Sequence, residues 1–333
     1  MQPVPHVDYT ATSVRAQWAD LPGGVRAAVE RAAGGRVAHA EPSVTSGFSG
    51  GFAAVLHLAA GRRVFAKAGS GVNPYLLTAY AREGEVLAAL PASVPAPRLV
   101  GTASLAPGDA GDEAWEVVVA EAADGRIPQP WDERSFAAVH HACVAVAAAL
   151  DPPPAALEPL DTVAADYAED AAVLGAFPAL AAGRRPLPPG QPGWLPGRYG
   201  ELEVLVARAA EALAGHVGCH GDLRADNVLV DGDRVVVVDW NYLATGPAWL
   251  DVVGLLPVAR ADGVDVGAWV RRSPLLRDAD PEHVDVWLAV VAAYMLAHAD
   301  QPLWPGGHPA VRVHQRRYAR LFLDWLAERR GWA

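Results

Sequence analysis

The chain predicts a two-lobed α+β fold, β-rich at its N-terminal end and mostly helical beyond. Three observations carry that expectation. Short segments of β character alternate between residues 36 and 68, the pattern of half-buried strands. Residues 121–130 contain Gly and Pro without any periodicity, which suits a hinge. Past them, apolar residues recur at helical spacing in long stretches interrupted by one hairpin, so strands and helices segregate along the chain. The expected division is an N-terminal lobe over 1–120 with a leading extension and helix, a hinge over 121–130, and a helical lobe over 131–333.

Taken in order, LPGGVRAAVERAA (21–33) has the spacing of a short amphipathic helix. Strands follow at Arg36 to Val44, Ala53 to Leu58 and Val64 to Ala68, the last two joined by AAGRR as a hairpin turn. Residues 73–90 read as a helix with Asn73 in the cap position and Pro74 in the first turn. PASVPAPRLVG is a proline-rich break, and Trp115 to Ala120 a further strand. Beyond the hinge, helices are predicted over Ser135 to Leu150, Thr162 to Leu174 (capped by Asp161) and Tyr199 to Leu213, with residues 177–197 an irregular Pro- and Gly-rich loop. NVLV, the turn Asp231-Gly232-Asp233 and RVVVVDW form a hairpin. Pro281 to Asp300 and His308 to Arg330 are the clearest helices of the last third.

A length of 333 residues accommodates two lobes, each with its own core. With 27 basic and 38 acidic residues the net charge is −11, a field that favours cationic small molecules and disfavours nucleic acid. Cys143 and Cys219 are the only cysteines, too few for a disulfide framework. The N-terminus lacks a signal-peptide layout, and the apolar run Val284 to Ala297 is too short to span a bilayer. The expectation is a cytoplasmic protein, monomer or homodimer, with neither nucleic acid nor membrane as partner.

Residues 46–52, SGFSGGF, admit two chemistries. Gly47-Phe48-Ser49-Gly50-Gly51 fits the G-x-S-x-G elbow of a serine hydrolase, and equally a glycine-rich loop laid over phosphates. An elbow needs a helix after it, whereas Phe52 to Leu58 runs into a turn and another strand. The phosphate loop is the better reading.

The stretch CHGDLRADNVLVDGDRVVVVDW (219–240) is more specific. It sets Asp222 and Asn227 five apart in a loop and Asp239 at the end of the next hairpin. Phosphoryl transfer needs such a set: one carboxylate facing an acceptor hydroxyl, and an amide and a second carboxylate for the magnesium on the phosphates.

His220 to Asn227 resembles the H-G-D-x-x-x-x-N loop of the aminoglycoside phosphotransferases and related small-molecule kinases, which have a protein-kinase-like fold. Asp239-Trp240 stands at their D-F-G-like aspartate, and Gly246 to Asp251 is similar to their downstream G-[DP]-P-x-x-D segment. The resemblance spans about residues 36–260. It implies that Asp222 orients the acceptor hydroxyl and takes its proton, that Arg224 neutralises charge on the transferring phosphoryl, and that Asn227 and Asp239 bind Mg2+. It implies that Lys67, the chain's only lysine, pairs with the α- and β-phosphates of ATP or GTP. Glu83 or Glu85 would hold that lysine, with Glu83 preferred. The backbone of Glu121 to Ala123 would meet the purine, and Ser46, Ser49 and Gly50 the phosphates. The acceptor would be a small-molecule hydroxyl, foremost an antibiotic's. The alternatives are a metabolic kinase acting on a sugar, amino alcohol or nucleoside, and a catalytically silent nucleotide-binding regulator.

Other groups are weighed against structural roles. His220 and Asp251 read as braces of the loop. Cys219-His220 is no thiol dyad, because neighbours in an extended segment point to opposite sides. His140-His141-x-Cys143 lacks a second ligand cluster. Trp287, Tyr294 and Trp304 read first as core and second as an acceptor pocket. Asp166, Glu169 and Asp170 would share one helix face, either solvated or turned to a cationic acceptor.

Overall fold

The computed structural model describes residues 7–304 and 306–332. Its first lobe begins with α1 (Gly23–Ala33), followed by β1 (Val37–Ala40), β2 (Phe52–Leu58), β3 (Arg63–Ser70), α2 (Pro74–Ala89), β4 (Leu99–Leu105) and β5 (Trp115–Glu121). The strands form one antiparallel sheet in the order β1-β2-β3-β5-β4. The period of two then sorts the side chains by face. Phe52, Ala54, Leu56, Val64, Ala66, Val117 and Val119 pack beneath Val25, Ala28 and Val29 of α1. Full burial of each large aliphatic there contributes about 1.5–3 kcal/mol. The alternate residues Ala53, Val55, Phe65, Lys67 and Ala120 face the opposite way and line a cavity. α1 crosses β4 so closely that a Cβ on Gly101 would lie 2.4 Å from the Ala32 carbonyl oxygen, so only glycine fits.

The second lobe carries α3 (Glu133–Ala149), α4 (Val163–Ala168), α5 (Ala171–Leu174), α6 (Ala176–Ala181), α7 (Tyr199–Val206) and α8 (Ala209–Ala212). Four short strands follow: β6 (Val217–Cys219), β7 (Val228–Asp231), β8 (Arg234–Val237) and β9 (Ala244–Gly246), paired as β6-β9 and β7-β8. Helices α9 (Leu250–Ala261), α10 (Val266–Arg272), α11 (Pro281–His298) and α12 (Ala310–Arg330) complete the chain. The apolar run in α11 is buried almost all round, as a central core helix must be. No helix among the described residues is long and apolar enough to cross a membrane.

The two-lobed α+β class is as expected, with corrections inside it. β4 occupies residues placed in or just after the proline-rich break. It is an edge strand with a register shift between Leu99 and Gly101, so its alternation is too weak to read. The strand expected over 36–44 stops at Ala40. Asn73 precedes α2 but makes no side-chain cap bond. The helix expected over 162–174 is two helices, because Asp170 turns its carboxylate to the amides of Ala172 and Val173 and starts α5. The cap of α4 is the Thr162 hydroxyl, not Asp161. The helix over 199–213 breaks between α7 and α8, and residues 177–197 hold most of α6. Glu121 ends β5. The segment after it is tied to β7 by paired bonds between Arg126 and Val230, at 3.0 and 2.9 Å.

Candidate active site

Sheet, α2, the 220–227 loop and the helices of the second lobe enclose a cavity of about 1160 Å³. On its sheet side, Lys67 Nζ donates to both oxygens of Glu83, at 2.7 and 2.8 Å, and to Asp239 Oδ1 at 2.7 Å. Glu85 is exposed and pairs with Arg82 instead. A sequence signal for that choice exists: Glu83 falls within the buried stripe of Leu76, Tyr80, Val86 and Leu87, and Glu85 does not. Burial disfavours the Lys67 ammonium, but Asp239 and Glu83 override it and hold its pKa above the usual lysine value. Burial raises the Glu83 carboxyl despite Lys67. Burial would raise Asp239 too, yet the charge of Lys67 leaves it below the usual range. Asp239 sits at φ 70°, the one non-glycine residue at positive φ among those described. Such backbone clusters where a side chain must be aimed.

The loop between β6 and β7 supplies the opposing groups. Asp222 has its carboxylate gripped by Arg224, which also reaches both Asp226 oxygens at 3.1 and 3.2 Å. Burial raises the Asp222 pKa, with Arg224 opposing, so it is a better proton acceptor than a solvated aspartate. Asn227 Nδ2 donates to the Asp222 carbonyl at 2.8 Å, which leaves its Oδ1 outward. Asp251 accepts the His220 and Gly221 amides at 2.7 and 3.1 Å, and the His220 ring bonds the Val238 carbonyl at 2.9 Å. Both brace the loop. Trp240 is fully buried against the His220 ring, its N–H on the Val237 carbonyl.

Asn227 Oδ1 and the second Asp239 oxygen have no protein partner among the described residues, and both side chains line the cavity. Two hard oxygens suit a magnesium ion that completes its shell with water and phosphate. No group of three or more His, Cys, Asp or Glu among the described residues could hold a metal alone. His140 bonds Ser273 Oγ at 2.8 Å, and Cys143 and Cys219 are buried thiols with raised pKa values.

Ser46 and Ser49 line the cavity with Gly47 and Phe48, as do Glu121 and Ala123 and the apolar Val55, Phe65 and Leu229. Gly50 does not line it; a Cβ there would meet the Gly306 carbonyl at 3.3 Å. The lining also includes Asp161, Asp166, Tyr167, Asp170, Tyr294 and Trp304. Glu169 is outside the lining, as is Trp287, which is buried core. Burial first, then Asp161, raises the Asp166 pKa. Asp161 was legible only as a cap, because its approach to Asp166 depends on how α4 is seated.

Phe48 and residues before it are further site neighbours with no local signal. The Phe48 ring lies 5.5 Å from the Arg224 guanidinium and 4.8 Å from the His314 ring. The Tyr9 hydroxyl and His314 Nδ1 are hydrogen-bonded at 2.7 Å. Burial, then Arg224, pushes the His314 pKa well below the usual value, so the native ring stays neutral while the unfolded chain takes up a proton below about pH 6.5. Stability therefore falls as pH drops through 6.5, by up to about 1.4 kcal/mol per pH unit for this proton. Urea unfolding at pH 7.5, 6 and 5 should show a shallower loss in His314→Gln. His140, also lowered by burial, would supply part of the remaining slope.

Comparison with known proteins agrees with this fold. No curated protein matches the sequence. Aminoglycoside phosphotransferase APH(4)-Ia superposes with a TM-score of 0.58 at 16% identity, over 92% of this chain and 98% of its own. A thermostable mutant of that enzyme, solved with ADP and hygromycin B, gives 0.57 at 16% identity over the same shares. A protein assigned as a fructosamine-3-kinase, from Thermobifida fusca YX-ER1, gives 0.52 at 20% identity over 90% and 98%. At these identities the likeness speaks for the fold. The model of the phosphotransferase enzyme family (APH) matches residues 45–285, most of the chain and all of the Lys67–Asp239 constellation, and the chain belongs to that family.

Proposed function

We propose that this phosphotransferase moves the γ-phosphoryl of ATP to a hydroxyl of a cationic, polyhydroxylated small molecule, foremost an antibiotic that it thereby inactivates. The observation that carries the reading is one cavity lined by two unlike sets of charged groups. Lys67, Glu83 and Asp239 line it together with Asp222 and Arg224, and so do the carboxylates Asp161, Asp166 and Asp170. The purine would lie along Glu121 to Ala123, its faces against Phe65 and Leu229. Lys67 would neutralise the phosphates, and Asn227 and Asp239 would hold Mg2+, which would disperse phosphate charge. Asp222 would orient the acceptor hydroxyl and take its proton. Arg224 would share its charge with the transferring group. The lobes would divide at residues 121–130. ADP and AMP-PNP in complexes of APH(4)-Ia favour ATP over GTP as donor.

The metabolic alternative keeps one specific support, the fold likeness to the fructosamine-3-kinase. A silent regulator fits poorly with Lys67, Asp222, Asn227 and Asp239 all on the cavity. A mass-shift screen with ATP and GTP, across aminoglycosides, peptide, macrolide and nucleoside antibiotics and amino sugars, tests the reading. Phosphorylation of an antibiotic supports it; transfer only to a primary metabolite overturns the resistance role; transfer to nothing overturns the enzyme.

The acidic wall makes its own prediction. Asp166→Asn should raise KM for a cationic acceptor about three- to tenfold, with KM for ATP unchanged, since a partly solvated charge pair contributes about 1 kcal/mol. Steady-state kinetics with each substrate varied in turn would check it. An uncharged acceptor should show no effect.

A further inference from the structure

The chain ahead of residue 45 lies outside the matched family segment, yet part of it is bonded to the glycine-rich loop along the loop's length. The Thr12 and Ser13 amides donate to the Thr45 carbonyl at 2.8 and 2.9 Å. The Thr12 hydroxyl donates to the Gly47 carbonyl at 2.8 Å. Arg15 closes the arrangement. One prong of its guanidinium donates to the Gly51 carbonyl at 2.8 Å, the other to the Ser46 carbonyl at 3.1 Å and to Ser49 Oγ at 3.2 Å.

These bonds fix which way the loop's peptides face. In a trans peptide the carbonyl and the following N–H point in opposite directions. With the carbonyls of Thr45, Ser46 and Gly47 drawn to this segment, the N–H groups of Ser46, Gly47 and Phe48 are turned away from it. All three residues line the cavity, and their amides have no protein acceptor among the described residues. Successive unpaired amides make a concavity for an anion. Gly47 is at φ +79°, and a Cβ on it would lie 3.2 Å from the Arg15 guanidinium, so loop and arginine are fitted to one another. Arg15 itself lines the cavity, and its Nε is buried without a partner.

We propose that Arg15 is a positioning residue for the nucleotide's phosphates. It cross-braces residues 46 to 51 so that the loop presents its amides to the polyanion, and it adds a positive charge behind them. This rests on the nucleotide reading given above. The role belongs to the phosphates alone, because the purine would be held elsewhere, at residues 121–123.

The test is a calorimetric titration of the full chain with Mg–AMP-PNP and, separately, with adenosine. Arg15→Ala should weaken AMP-PNP about tenfold or more, since charge-assisted bonds to the loop are lost, and leave adenosine within about twofold. Arg15→Lys keeps the charge without the two-pronged fork and should recover part of the loss. The ratio of the two affinities separates positioning from a general loosening, which would weaken both ligands together. AMP-PNP binding unchanged in Arg15→Ala, or adenosine lost in proportion, overturns the proposal. A wild-type chain that binds neither AMP-PNP nor GMP-PNP overturns the nucleotide reading itself, and this proposal with it.

Discussion

Asp222→Asn should lower phosphoryl transfer about a thousandfold while nucleotide affinity stays within about threefold of wild type. A positioned general base contributes roughly 10²–10⁴ in rate, and the substitution removes basicity without changing size. Nucleotide affinity survives because the cluster of Lys67, Glu83 and Asp239 is built from β3, α2 and the end of the second hairpin, not from this loop. The loop should hold too. Asn227 bonds the main-chain carbonyl of residue 222, which the variant retains, and Arg224 keeps Asp226. The grip of Arg224 does not disqualify Asp222 in the wild type. A carboxylate has about four acceptor positions, so an oxygen can meet the substrate hydroxyl while the guanidinium holds the group in place. Acceptor-dependent ADP release, measured beside a nucleotide titration, checks both halves. An undiminished rate would remove Asp222 from the proton path.

Lys67→Ala should be costly twice over. It removes the charge that would meet the phosphates, and it strands Glu83, whose side chain is only 6% exposed. Removing one partner of a buried ion pair typically costs about 3–5 kcal/mol, because the remaining charge has no solvent to turn to. We expect a lower unfolding midpoint and no measurable nucleotide binding. Lys67→Met with Glu83→Gln separates the two effects: the neutral pair should recover most of the stability and none of the binding. Full recovery of nucleotide affinity in the double variant would show that Lys67 serves the fold alone. Acid would act on the same cluster. Asp239 is held below its unfolded pKa by Lys67, so its contribution is present above about pH 4 and fades as pH falls further. Glu83 is shifted the other way, and the two partly offset.

How much of this was legible differs residue by residue. Asp222, Asn227 and Asp239 lie within eighteen positions of one another, on a loop and the hairpin that follows it, so their spacing alone brings them near. Lys67 was legible through the resemblance and as the chain's only lysine, and alternation along β3 then sets the face it occupies. Glu83 was separable from Glu85 only weakly, since the rotation of α2 follows from how Leu76, Tyr80, Val86 and Leu87 pack. The acidic face expected over Asp166, Glu169 and Asp170 assumed an unbroken helix. Asp170 instead spends its carboxylate on starting α5, and the break leaves Asp166 and Asp170, without Glu169, on the wall.

The lobe order, the spacing of Asp222, Asn227 and Asp239, and the preference for a phosphate loop over a hydrolase elbow at SGFSGGF come from the chain alone. Those features are local: a few residues of fixed spacing on one element define them. Tertiary structure alone decided what closes on that site from afar. Tyr9 meets His314 across 305 positions, and Arg15 meets the loop across 31 to 36. Such pairs have no period and no motif, because each partner's place is set by how whole helices and sheets pack, not by the residues that happen to precede it in the chain.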